Sequence, residues 1–230
     1  YEKDKKLFSG AACAIIRPMR FNTLFFDLDE TVYPSSSGVW AAIRDRMQRY
    51  MIEQLGIPAE EVPALRERLY REYGTTMRGL QYERGLDTDA FLAYVHDIPL
   101  VNYLSPAPSD REALLSLPQQ RFIFTNADVH HARRVLNILN LSDCFEGIMD
   151  ITMFIPHCKP QPEAFEIALK KAGSPDPTRC VLIDDLPVNL KAARQMGFST
   201  ILISENPPEN HDFDAHIGSL SELPTVLTAL

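Results

Sequence analysis

The run "FFDLDETVYP" (25–34) places two aspartates two residues apart at the end of an otherwise apolar stretch, with Glu30 beside them. An ionised carboxylate can act as a nucleophile, and a second one nearby can give and take a proton. Three acids at the mouth of a hydrophobic strand also repel one another and are costly to desolvate, so the pattern asks for a compensating cation. Two more acids, Asp184 and Asp185, end the apolar run "CVLIDD" (180–185). Thr125 and Asn126 end "RFIFTN" (121–126), and Lys159 lies in "HCKP". Taken singly, each fragment is most simply a turn or a helix cap. Taken together they are three polar strand ends and a lysine, and ligands of open α/β sheets sit beyond the carboxyl ends of the strands.

The elements that must carry these residues follow from periodicity. Short apolar runs at 22–28, 121–126, 147–152, 180–185 and 200–204 have the continuous hydrophobicity of strands covered on both faces. Helical patterns at 128–140, 161–173 and 187–197 alternate with the later runs. The fold expected is α/β, a doubly wound parallel sheet. The stretch 35–105 differs. "GVWAAIRDRMQRYMIEQLG", "EEVPALRERLYREYG" and "DTDAFLAYVHD" have helical spacing with glycine or proline stops and no strand pattern, so an inserted all-helical cap is expected. The expected division is 1–18 as an N-terminal extension, 19–34 with 106–230 as the α/β core, and 35–105 as the cap. "LSPAPSD" (104–110) reads as a proline-rich return linker, and "SENPPENHDFDAH" (204–216) as a surface loop.

Composition narrows the function classes. The 230 residues bury a core without staples, and the formal net charge of -8 disfavours binding to a nucleic-acid polymer, which wants a basic face. It also means that an anionic substrate must be attracted locally. Four cysteines without CxxC spacing fit a reduced, cytoplasmic setting with no structural zinc. No run approaches the roughly 20 apolar residues of a membrane span.

"DLDET", "FTNA", "CKP" and "IDDLPVN", in this order, resemble the four motifs of the haloacid dehalogenase (HAD) superfamily phosphatases, and the resemblance covers about 21–204. "DETVYPSSSGVW", "YGTTMRGL", "FTNADVHHARRVLNILNLSDCFEGI" and "IDDLPVNLKAARQMG" are most similar to the pyrimidine 5′-nucleotidase group. The resemblance implies a Rossmann-like core and a phosphomonoester hydrolase working through an aspartyl-phosphate. Asp27 is then the nucleophile and Asp29 the acid/base, a role that asks for a raised pKa. Lys159 offsets the charge of Asp27, and Thr125, Asn126 and Lys159 contact the phosphoryl group. Oxygen ligands from Asp27, the Asp29 carbonyl and Asp185 suit Mg²⁺, with Asp184 beside Asp185 and Asn189 behind it.

In the cap, Thr76 and Arg78, on a segment read as a loop or bent helix (73–85), are candidates for base or sugar contacts. The substrate expected is a small phosphorylated metabolite, a nucleoside monophosphate such as UMP or CMP, for a monomer or homodimer. Other phosphatases or mutases of sugar phosphates or phosphoglycolate keep every motif. A 2-haloacid dehalogenase uses the first aspartate on carbon without metal, and a non-catalytic binding protein has no need of the acid pair. Glu30, where relatives commonly have Gly, Asp or Asn, is expected to point away. His96 reads as structural, His130 and His131 as a first helical turn from which one of them could approach the active-site rim, Trp40 and Tyr50 as core, and Cys158 as packing.

Overall fold

Strand β1 (Thr23–Phe26) is buried at all four residues because it is paired on both edges and covered on both faces. The computed structural model describes residues 20–207 and 212–230. The expected extension 1–18 lies outside the described residues, as do 208–211 of the expected surface loop. The remaining strands are β2 (Gln120–Phe124), β3 (Gly147–Met149), β4 (Cys180–Asp184), β5 (Ser199–Ile203) and β6 (Ala215–Ile217). They form one sheet of order β3-β2-β1-β4-β5-β6 with every pairing parallel. Strand order reverses around β1, so a crevice opens where β1 lies between β2 and β4.

Alternate residues of these strands feed two cores, as the two-residue period of a strand requires. Leu24, Phe26, Ile123, Val181 and Ile183 face one side, where α5 (Pro108–Ser116), α6 (Val129–Leu139) and α10 (Leu223–Ala229) bring Leu114, Val135 and Leu223. Phe25, Phe124 and Leu182 face the other, against Phe154, Phe165 and Leu190 of α7 (Ile151–Phe154), α8 (Pro162–Lys171) and α9 (Pro187–Gln195). Each fully buried Phe or Leu contributes about 1.5–3 kcal/mol of hydrophobic stabilisation.

Between β1 and α5 the chain forms α1 (Val39–Glu53), α2 (Val62–Tyr73), α3 (Thr76–Arg84) and α4 (Thr88–Val95), and no strand. This all-helical insertion has its own core of Met51, Leu69, Leu80, Phe91 and Val95, completed by Ile151 and Cys158 from the α/β body. The cap is therefore seated on the loop that carries Lys159. Gly74 makes the seat possible: it adopts φ +83°, and a Cβ there would lie 3.0 Å from Cys158 Sγ.

Three local expectations are corrected. Residues 204–216 are not all loop, because Ala215 joins β6 and extends the sheet. A three-residue strand has too little periodicity to be read locally; its partner, β5, supplies the order. The return linker gives way at Pro108 to helix α5, where proline's missing N–H costs nothing. Within 73–85, after the turn at Gly74, α3 (Thr76–Arg84) is a regular helix, with Thr75 Oγ1 accepting from the Arg78 amide (3.1 Å) and Gly85 closing it in the left-handed region. No helix among the described residues is long and apolar enough to cross a membrane.

Gly79 sits inside α3, where a Cβ would meet Leu69 Cβ and Cδ2 at 2.7 and 2.5 Å. Gly→Ala in a helix interior ordinarily gains about 0.5–1 kcal/mol. Overpacking here costs about 1–3 kcal/mol, so Gly79→Ala should lower stability on balance. Urea unfolding would measure this; a raised midpoint would show that α2 and α3 do not pack that closely.

Candidate active site

The carboxyl ends of β1, β2 and β4 gather around one buried ammonium group. Lys159 is 1% exposed, and its Nζ lies 2.9 Å from Asp27 Oδ1 and 2.7 Å from Asp184 Oδ2. Burial works to discharge the amine, but Asp184 and Asp27 hold its pKa well above the ordinary lysine value. The loop carrying Lys159 is fixed to the end of β2 by a reciprocal amide pair: Asn126 Nδ2 donates to the Lys159 carbonyl and the Lys159 N–H donates to Asn126 Oδ1, both at 3.0 Å. Asn126, expected to contact substrate, thus uses both ends of its amide to hold the lysine loop. Thr125 is buried at the same strand end, its hydroxyl accepting from the Ala127 amide at 3.0 Å.

Asp184 is fully committed. Beyond Lys159 it accepts from the Leu186 amide (2.9 Å) and from Asn189 Nδ2 (3.0 and 3.1 Å). It therefore anchors the lysine and the start of α9, and Asn189 in turn anchors it. Asp185 is the opposite case, since its Oδ1 is buried with no hydrogen-bond partner. Carboxylate oxygens of Asp27, Asp184 and Asp185 lie within 4.8 Å of one another. Burial, then the neighbouring aspartates, push the Asp185 carboxyl well up; burial and Asp184 likewise raise Asp27 against the pull of Lys159. Three carboxylates facing one ammonium leave a net deficit of positive charge. The orphaned Asp185 oxygen and the hard oxygen donors fit a cation such as Mg²⁺.

Asp29 stands outside that cluster, and its surroundings overturn the expectation of a raised pKa. Its Oδ1 accepts from the Tyr33 hydroxyl at 2.6 Å and pairs with His131 Nε2 at 2.8 Å. Burial pushes its pKa up, but His131, with His96 and Tyr33 assisting, holds it below the ordinary 3.8. The sequence carried a weak signal for Tyr33, four residues beyond Asp29, and for His131, 102 residues away, only the position after "TNAD" that offers His130 or His131 to the rim of the site. His131 is not merely part of a first helical turn: it reaches the acid.

A cavity of about 580 Å³ opens between this cluster and the cap. Thr76 lines it, whereas Arg78 does not; the Arg78 guanidinium hydrogen-bonds Gln81 Oε1 along its own helix. Arg44 and Arg66 line the cavity instead, and so does Trp40, which also packs against the main core. Glu30 also faces the cavity rather than pointing away. Its φ of 57° explains why Gly, Asp or Asn suits the position, since these residues enter the left-handed region at least cost. Cys158 is packing: burial raises its thiol to about 11, and Sγ donates to the Tyr73 carbonyl at 3.5 Å.

A family model described as haloacid dehalogenase-like hydrolase matches residues 21–197. "Phosphate metabolism protein 8" of Saccharomyces cerevisiae is 30% identical over 192 residues, covering 77% of this chain and 60% of that protein, so the chain spans only about three fifths of this curated relative. Among solved structures, the HAD-hydrolase YfnB from Bacillus subtilis, bound to magnesium, is 18% identical with TM-score 0.60 and covers 90% of this chain and 99% of its own. L-2-haloacid dehalogenase from Xanthobacter autotrophicus (17%, TM-score 0.61, 91% and 99%) and a HAD phosphatase from Thermococcus onnurineus (18%, TM-score 0.60, 90% and 98%) share the fold.

The raised carboxyls give a pH-dependent prediction. A carboxyl whose folded pKa exceeds its unfolded value makes the native state bind more protons, so its contribution to stability is full below the unfolded value of 3.8 and is lost as pH rises through the raised values of Asp27 and Asp185. A divalent cation replaces those protons. Thermal melts should therefore show a gap between Mg²⁺ and EDTA samples that widens from acid to mildly alkaline pH. A constant or vanishing gap would speak against a cation among these acids.

Proposed function

The chain belongs to the haloacid dehalogenase-like hydrolase family, and we propose that it is a magnesium-dependent phosphomonoester hydrolase acting through a phosphorylated Asp27. The single observation that carries this reading is the division of labour among the acids: Asp27 and Asp184 hold Lys159, Asp185 joins them with one buried oxygen unpartnered, and Asp29 is set apart and held by two other groups. Chemistry on carbon by Asp27 alone has no use for Asp29 or for a cation site. Asp27 and Asp185, with the Asp29 carbonyl, would hold Mg²⁺, which when bound neutralises the acids and the phosphoryl oxygens.

The protein's own groups then act in sequence. Lys159 keeps Asp27 aligned and offsets charge on the phosphoryl oxygens, with Thr125 at their edge. An incoming phosphate dianion raises the proton affinity of Asp29, which takes up a proton. An Asp27 carboxylate oxygen bonds to phosphorus as the bond from phosphorus to the ester oxygen breaks, and Asp29 gives its proton to that departing oxygen. Asp29 then takes a proton from water as the water oxygen bonds to phosphorus, releasing Asp27 and inorganic phosphate.

Residues 35–105 act as the cap that selects the leaving group, on the core formed by 19–34 and 106–230. The preferred substrates are UMP and CMP, by resemblance to the pyrimidine 5′-nucleotidase group. Thr76 offers a hydroxyl, Arg44 and Arg66 offer donors, and Trp40 and Phe91 form apolar walls. Buried thiols at Cys144, Cys158 and Cys180 suit a reduced cytoplasmic setting.

Phosphate release from p-nitrophenyl phosphate should require Mg²⁺ and fall by about 10³-fold or more in Asp27→Asn, which removes the nucleophile. Metal-independent release of chloride from a 2-chloroacid would favour the dehalogenase reading instead. In a screen over nucleotides and sugar phosphates, UMP and CMP should rank first; if sugar phosphates match them, the pyrimidine preference fails while the phosphatase reading stands.

A further inference from the structure

We infer that His131 is a positioning residue for the acid/base Asp29, and that His96, arriving from the cap, braces it. The inference rests on the phosphatase reading. His131 is fully buried on α6, and the only hydrogen bond its ring makes among the described residues is Nε2 to Asp29; its Nδ1 is buried without a partner. A histidine needed only for packing could be replaced by an apolar ring. This one faces the one carboxylate that must exchange protons.

The brace is built from three elements. The His96 ring stacks on His131 with centroids 4.1 Å apart and planes 14° from parallel. His96 Nδ1 pairs with Asp128 Oδ2, while Asp128 Oδ1 caps α6 by accepting from the His130 and His131 amides at 2.8 and 2.9 Å. His96 is the residue that ends cap helix α4, and Arg134 of α6 donates to the His96 and Ile98 carbonyls at 2.7 and 2.6 Å. The ring that holds Asp29 is thus held by the strand of chain leaving the cap.

The hydrogen bonds to Asp29 are directional in a way that matters for its task. Tyr33 and His131 both meet Oδ1, leaving Oδ2 with no partner among the described residues. Two donors on one oxygen leave the other as the place for a transferable proton, and they prevent the carboxyl group from turning over. Asp29 then presents Oδ2–H to the departing ester oxygen, and later the bare Oδ2 to water.

The test compares an alkyl ester, whose leaving oxygen needs a proton, with an aryl ester, whose leaving oxygen needs it much less. First-turnover rates of alcohol release are measured with Mg²⁺ for UMP (or glycerol 2-phosphate if UMP is not turned over) and for p-nitrophenyl phosphate. His131→Leu should slow the alkyl ester by about 100-fold, in the range ascribed to general acid catalysis, and the aryl ester at least ~10-fold less. KM should change little, and His131→Gln, which keeps an N–H at similar reach, should recover most of the loss. Tyr33→Phe removes the other donor with minimal change of shape and should show the same selectivity, which keeps the test open if His131→Leu fails to fold by circular dichroism. Equal losses on both esters, no loss, or no recovery with Gln would overturn the inference while leaving the phosphatase reading intact. A wild-type protein that cleaves neither ester would overturn both.

Discussion

The ammonium group of Lys159, buried between Asp27 and Asp184, is the interaction on which the remainder of the site depends. Without it, the ends of β1 and β4 would bring together carboxylates that cannot all stay ionised away from water. With it, Asp184 becomes a fixed anchor and Asp27 is held in place at the end of the central strand. Losing one member of such a buried pair is far more costly than never having built it, because the partner is left charged and unsolvated. The site therefore reads as one electrostatic unit, with the unpartnered oxygen of Asp185 marking where positive charge is still wanted.

Two aspartates separated by a single residue are driven in opposite directions by what surrounds them. Burial and Asp184 raise Asp27, whereas the groups around Asp29 overcome its burial and lower it. Divergent environments of this kind are how neighbouring carboxyls acquire different chemical tasks. The divergence comes chiefly from His131, which reaches Asp29 from α6, and the turn after β1 assists it. Glu30 enters the left-handed region there, so the chain curls back and brings Tyr33 within hydrogen-bond reach of Asp29.

The cap and the α/β body meet through the same few residues. Gly74 lets the α2–α3 turn approach Cys158, next to Lys159, and His96 at the end of α4 stacks on His131. The cavity wall and the acid cluster thus share contacts, so the position of the cap and the geometry of the acids are physically linked.

How much of this was readable in advance follows from how local each signal is. The parallel sheet, the helical insertion and the polar residues at 27, 29, 125, 184 and 185 are written in short runs whose hydrophobic period changes abruptly to charge, and such runs form strands ending at a crevice wherever they pack. Lys159 needed the order of four motifs, because a lone lysine before a proline carries no local meaning. Strand β6 escaped because three residues hold no period, and its hydrogen-bonding partner is supplied by β5. The amide of Asn126 facing its own loop, Glu30 facing the cavity, Arg78 turning along its helix and Arg44 and Arg66 taking its place were all decided by side-chain directions that spacing does not encode. So was the approach of His131 to Asp29 across 102 residues. The sequence by itself determined which groups could react and on which strands they stand. Only the tertiary structure decided which of them are paired, which are left unpaired, and which oxygen of each acid is free, because those outcomes depend on burial and on partners brought together from distant parts of the chain.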